Sequence, residues 1–167
     1  IRHRVFRSKN LRTYGLPSLI VLFEVLTNKG SEENPWKPAL FDNISGKLAY
    51  PGDGKENNLD KETEQFVGNK VFLKCNEAQV EGNEQLIPPI LFFKKFKEGW
   101  SEFKGVFQFK KIKKYYDDNA RFDNYEYHCQ RLAIDKVSVN WLRDRALCNN
   151  LSQLDNDAPL EWKNRYK

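Results

Sequence analysis

Methionine is absent from the 167 residues, histidine occurs twice and cysteine three times. Each scarcity excludes something. Cys75, Cys129 and Cys148 are odd in number and lack a C-x-x-C spacing, so neither a disulfide framework nor a zinc site is indicated, and they read as small buried hydrophobes. His3 and His128 are too few and too scattered for a metal cluster or a general base. No apolar run approaches a membrane span and no signal peptide is expected, so the composition predicts a soluble globular protein of one domain, residues 1–167. A chain that starts at Ile1 is expected to be a piece of a longer protein.

Catalytic patterns are equally thin. Gly-Asp-Gly-Lys at 52–55 has Glu56 where a phosphate loop needs a hydroxyl. Asp53, Asp60, Asp117 and Asp118 are carboxylates of the kind that hold Mg²⁺ in nucleases, so a metal-dependent nuclease stays open as an alternative; Asp117-Asp118 also reads as a turn that ends a strand. The expectation is a domain without catalysis of its own and without a cofactor.

What the chain does have is concentrated positive charge. The formal net charge is +5, yet residues 94–114 alone carry eight lysines against two glutamates, a local +6. Charge gathered in this way is the footprint of a polyanion-binding surface. These lysines lie in Pro88 to Asp118, which reads as two apolar-basic strands joined by a loop with Gly99 and Trp100. Trp100 on that loop reads either as a stacking wedge or as a core residue.

Around this hairpin the pattern predicts mainly antiparallel strands. Arg2 and Arg4 alternate with apolar residues as on a basic edge strand. Leu16-Pro17-Ser18 followed by LIVLFEVL is an apolar run, read as a helix with Pro17 near its first turn, with a core strand as the other choice. Segments on either side of Gly46 suggest a hairpin, and 51–65 a long exposed loop. KVFLKC at 70–75 is read as a strand, and 76–85 as a loop or a single helical turn. Residues 119–124 are expected to turn into a strand from Tyr125. Ser138 caps a helix whose face is Val139, Leu142 and Ala146, and Trp162 is a candidate anchor for the last segment. With a helix near each end, such strands are expected to curl into a barrel-like sheet that removes their edges.

Binding chemistry follows from the residue types. Lysine and arginine neutralise phosphates without sequence preference; Arg2, Arg4, Lys94, Lys95, Lys97 and Lys104 are the proposed clamps. Reading bases needs donors and acceptors of fixed geometry. Tyr50, Asp53, Lys55, Asn57 and Asn58 form a candidate reading set beside Pro51, Gly52 and Gly54.

The order FDN at 41–43, AYPGDGK at 49–55, VGNK at 67–70, PPILFF at 88–93, Gly99-Trp100, RFDNYEY at 121–127 and WLRDRAL at 141–147 resembles the DNA-recognition modules of bacterial restriction endonucleases, in particular the plant-type B-three-like pseudobarrel. The resemblance spans 39–148. It implies an open pseudobarrel of about seven strands with one or two helices, an α+β fold that is mainly β. It also implies sequence-specific reading of double-stranded DNA in the major groove by two arms. The N-terminal arm falls on Ile44 to Lys47 or on 50–58, the C-terminal arm on Lys94 to Lys104. Cleavage would belong to a separate nuclease domain, in a bacterial cytoplasm. A second family of similar length and topology, the SRA-like barrels, flips a modified base and requires an aromatic-lined pocket to hold it.

Overall fold

The computed structural model describes residues 2–6, 15–24, 37–53, 67–118, 121–147 and 151–166, the first of these through the backbone alone. Seven strands form one sheet: β1 (Arg2–Phe6), β2 (Leu19–Glu24), β3 (Leu40–Phe41), β4 (Lys47–Pro51), β5 (Ile90–Lys97), β6 (Trp100–Asp117) and β7 (Phe122–Arg131). Their order is β1-β2-β5-β6-β7-β4-β3. Every neighbouring pair is antiparallel except β2 with β5, which run parallel. Parallel neighbours need a long crossover, and here that crossover contains β3, β4 and the helix α1 (Val67–Val80).

Two sequence expectations are corrected by this arrangement. Leu19–Glu24 is a strand and not a helix, because it lies between two strands with both faces covered, so it has no polar side to give it a period. KVFLKC is helical, not a strand. Its local alternation conceals a longer repeat in which Val71, Phe72, Cys75 and Ala78 are all buried, the i, i+1, i+4, i+7 stripe of one helix face. The polar residues that follow belong to the same helix as far as Val80 and then to a 3-10 turn at Glu84–Leu86.

The sheet curls. Phe41 of β3 packs edge-on against Phe92 of β5 and Phe107 of β6, with ring centroids 5.8 and 5.6 Å apart. Three strands separate β3 from β5 in the ladder, so only a strongly curved sheet returns one edge to its middle. The hydroxyl of Tyr50 in β4 likewise donates across the interior to the Phe23 carbonyl of β2, at 2.8 Å. A bulge between Phe109 and Lys111, a register shift at Phe92/Phe93 and Gly105 at φ 128° assist the bend. Among the described residues β1 and β3 are not laddered to each other, so the result is an open pseudobarrel.

Two apolar clusters hold it. On the concave side α1 packs against Leu48, Phe92, Phe107, Phe109, Tyr127 and Cys129, with Phe72 stacked on Tyr127 at 3.9 Å. On the convex side α2 (Val139–Leu147) and α3 (Leu160–Lys163) bring Trp141 and Trp162 onto Leu19, Val21, Leu91 and Val106. The Ser138 hydroxyl accepts from the Trp141 N–H at 3.3 Å, as expected of a cap. The buried face of α2 is Trp141 and Arg145, however, while Val139 stands 69% exposed. Arg145 is wholly buried because it donates to the Ser18 carbonyl at 2.9 Å and to Asp155 at 2.5 Å. Burial pushes the Asp155 carboxyl up; the Arg145 charge and the hydrogen bonds from Trp141 and Arg145 together outweigh it and hold the group below its ordinary range. No described helix is long and apolar enough to cross a membrane.

Candidate nucleic-acid interface

A cavity of ≈ 700 Å³ opens between β3–β4 and β6–β7. Lys47, Lys94, Lys110 and Lys111 line it, against the single acid Asp42, with His128 and Gln130 between them. The curl of the sheet, not proximity in sequence, gathers these residues. Lys94 comes from β5 and is shared with Glu24 at 3.4 Å. Lys47 and Lys111 are exposed. The bulge at Phe109/Lys111 turns two consecutive lysines toward the same opening, which regular alternation forbids. Burial pulls the His128 imidazole below its usual range, with Lys113 and Lys111 acting in the same direction and Glu126, 2.8 Å away, opposing them.

Beside the cavity stands the β3–β4 turn, with Gly46 at φ +68°. Asp42 accepts from the Ile44 N–H at 2.9 Å and from the Ser45 hydroxyl at 2.5 Å. Arg131 of β7 donates to the Asn43 side chain and carbonyl at 3.2 and 2.9 Å, and Gln130 donates to the Ser45 carbonyl at 2.8 Å. The hairpin expected from Gly46 is present, with Leu40 opposite Ala49.

A second anchored point lies at the other end of β4. Both carboxylate oxygens of Asp53 accept backbone N–H groups of α1, from Gly68 at 2.9 Å and Asn69 at 3.0 Å. Those donors have no partner within their own helix, so a carboxylate at this end is doubly favourable. Asn69 accepts from Tyr127 and from the Asp53 N–H, while Asn124 donates to the Gly52 carbonyl at 3.2 Å. A Cβ at Gly52 would stand 2.4 Å from the Asn69 side-chain oxygen, so no larger residue fits.

The proposed site residues thus divide. Lys94 enters the cavity. Lys95, Lys97 and Trp100 sit at the tip of the β5–β6 hairpin, where Trp100 is 61% exposed and Lys97 lies 5.0 Å over its ring. Trp100 is therefore no core residue. Lys104 is largely covered and paired with Glu102 at 2.7 Å. Tyr50 is a correction: it is 2% exposed and its hydroxyl is engaged in the interior, because alternation in β4 points it inward with Leu48. Asp53 is committed to the backbone of α1, so its carboxylate is engaged inside the fold, while the long loop expected over 51–65 lies outside the described residues from 54 onward. Lys55, Asn57 and Asn58 lie outside the described residues, as do the side chains of Arg2 and Arg4, whose backbones are in β1. Asp117 is buried and Asp118 exposed, and among the described residues no three His, Cys, Asp or Glu converge as metal ligands. Lys47 closes the Ile44 to Lys47 arm that the resemblance implies, whereas nothing in the sequence marks His128 and Gln130 as lining residues.

Fold and site together define a class: an open, lysine-bearing half-barrel with two hairpins beside a cavity. The chain belongs to the restriction endonuclease AspBHI N-terminal family, whose model matches residues 3–167. Among solved structures, the DNA modification-dependent restriction endonuclease AspBHI superposes with a TM-score of 0.71 at 22% identity, over 97% of this chain and 41% of that one. MspJI restriction endonuclease in complex with a 27-mer oligonucleotide gives 0.67 at 23% identity, over 87% of this chain and 37% of that one. The DNA recognition domain of the cytosine modification-dependent restriction endonuclease LpnPI gives 0.55 at 21%, over 84% and 68%. At such identities the likeness is one of fold. The chain spans less than half the length of the AspBHI and MspJI chains. No curated protein sequence matches significantly.

Proposed function

We propose that this chain is the double-stranded DNA-recognition domain of a modification-dependent restriction endonuclease. Cleavage then falls to a nuclease domain elsewhere in the enzyme, working in a bacterial cytoplasm, and this domain itself uses no cofactor. The observation that carries the reading is the cavity with four lysines and one acid, in a domain whose family is the N-terminal part of restriction enzymes. Lysines around a concavity attract a duplex through release of condensed counterions. The β3–β4 turn and the β5–β6 hairpin are the two arms that straddle it, with Lys94, Lys95 and Lys97 on phosphates. Lys55, Asn57 and Asn58 keep their proposed role as base readers.

One observation favours a base turned out of the helix over groove contacts alone. The site is a cavity large enough for a nucleotide, with the Phe41 and His128 rings for stacking and Asp42 and Gln130 for a base edge.

The test is titration of duplexes with and without 5-methylcytosine at rising salt. Binding should weaken steeply with salt, and Lys47→Ala with Lys111→Ala should each reduce the log–log slope by about 1. Affinity independent of salt overturns the reading. Incubation with Mg²⁺ should leave the DNA uncut; cutting abolished by Asp117→Ala with Asp118→Ala would favour the nuclease alternative instead.

A further inference from the structure

Ile44 is 98% exposed. A single surface isoleucine ordinarily means little, but three features set this one apart. The first is its support. The Ile44 N–H is bonded to Asp42, the residues on either side are gripped by Arg131 and Gln130 from β7, and the Asp42 N–H donates to the Lys47 carbonyl while the Gly46 N–H returns to Asp42. The apex is thereby fixed although its side chain touches nothing. The second is residue type. Tight turns favour Asn, Asp, Gly and Ser, and a β-branched residue at such an apex serves neither the turn nor the core. The third is position. Leu40, itself 60% exposed, and Asp42 line the lysine cavity just before Ile44, and Lys47 lines it just after. An apolar knob therefore stands on the rim of a basic cavity.

We propose that Ile44 is a preformed apolar wedge which presses into the bases of a bound duplex beside the cavity. This deepens the DNA-recognition reading and rests on it. An aliphatic side chain driven against or between base pairs gains burial and locally unstacks them. Rigid support matters because a mobile apex would lose in ordering what it gains in contact. The surrounding lysines hold the phosphates on either side while the wedge acts, so charge and apolar contact are exerted from the same rim.

Ile44→Asn and Ile44→Trp in the 167-residue chain test it, on a duplex that the unsubstituted chain retains. Ile44→Asn should leave the thermal midpoint unchanged, because the side chain has no folded contacts, yet weaken binding by roughly 10- to 100-fold. In Ile44→Trp the indole replaces the wedge, and its fluorescence should be quenched on binding beyond any change in the unsubstituted chain. Full affinity in Ile44→Asn, or no added quenching in Ile44→Trp, refutes the wedge while leaving DNA recognition intact. Failure of the unsubstituted chain to retain any duplex removes both readings together.

Discussion

The β3–β4 turn is gripped by Arg131 and Gln130 from a neighbouring strand and by Asp42 from within. The β5–β6 tip instead carries Phe96 and Trp100, 52% and 61% exposed, on a strand pair whose register shifts at Phe92/Phe93 and again at Lys95/Lys97. Its ties are softer: Lys97 lies 6.0 Å over one ring and 5.0 Å over the other. One hairpin is shaped before any partner arrives, the other keeps room to adjust. A preformed element contributes selectivity, since a wrong partner cannot reshape it; an adaptable aromatic one contributes contact area on many sequences.

Arg131→Ala should break that contrast most strongly. Removing a charged donor from two acceptors costs about 1.5 kcal/mol, the lower end for such bonds because the site is half exposed. Chemical denaturation measures it, and an unchanged midpoint would mean the turn is held without β7. At the β5–β6 tip, Lys97→Ala with Trp100→Ala should cost no more than about 0.5–1 kcal/mol, the scale of an exposed cation–π contact. A loss equal to that of Arg131→Ala would make the two hairpins alike. The smallest effect concerns pH. The Ser45 hydroxyl first, and the Ile44 N–H next, hold the Asp42 carboxyl below its ordinary 3.8. A depressed carboxylate stabilises the fold above its unfolded pKa, and this is lost as pH falls through the folded value. The Ile44 amide resonance should therefore shift with a midpoint below 3.8, whereas a midpoint above that value would deny the bond its role.

The same contrast explains what could be read from the chain alone. Gly46 between apolar segments, the paired strands around Gly99, and Ser138 before a helix are local signals, and local signals decide turns and caps. Between helix and core strand, Leu19–Glu24 is ambiguous in sequence because its role depends on having a strand on each side, and KVFLKC is too short, at six residues, to separate periods of 2 and 3.6. For the site, the lysines of 94–114 were visible as charge. Their division between the hairpin tip and the cavity was not, since a bulge and the curl of the sheet decide it. The inward turn of Tyr50 follows from alternation with Leu48 once residues 47–51 are taken as a strand, whereas the cavity that Lys47 faces is made by the curl of the sheet.

The Asp53 carboxylate on Gly68 and Asn69 has a bearing on how such a domain changes over time. It fastens residue 53 to residue 68 directly, so the positions between them begin and end at one fixed place, whatever lies along the way. Because closure entropy rises only with the logarithm of length, substitutions or lengthening there should burden the sheet and α1 little so long as the clasp holds the two ends. Grafting the corresponding stretch of a relative between Asp53 and Gly68 should yield a folded protein, and breaking the clasp with Asp53→Ala should end that tolerance.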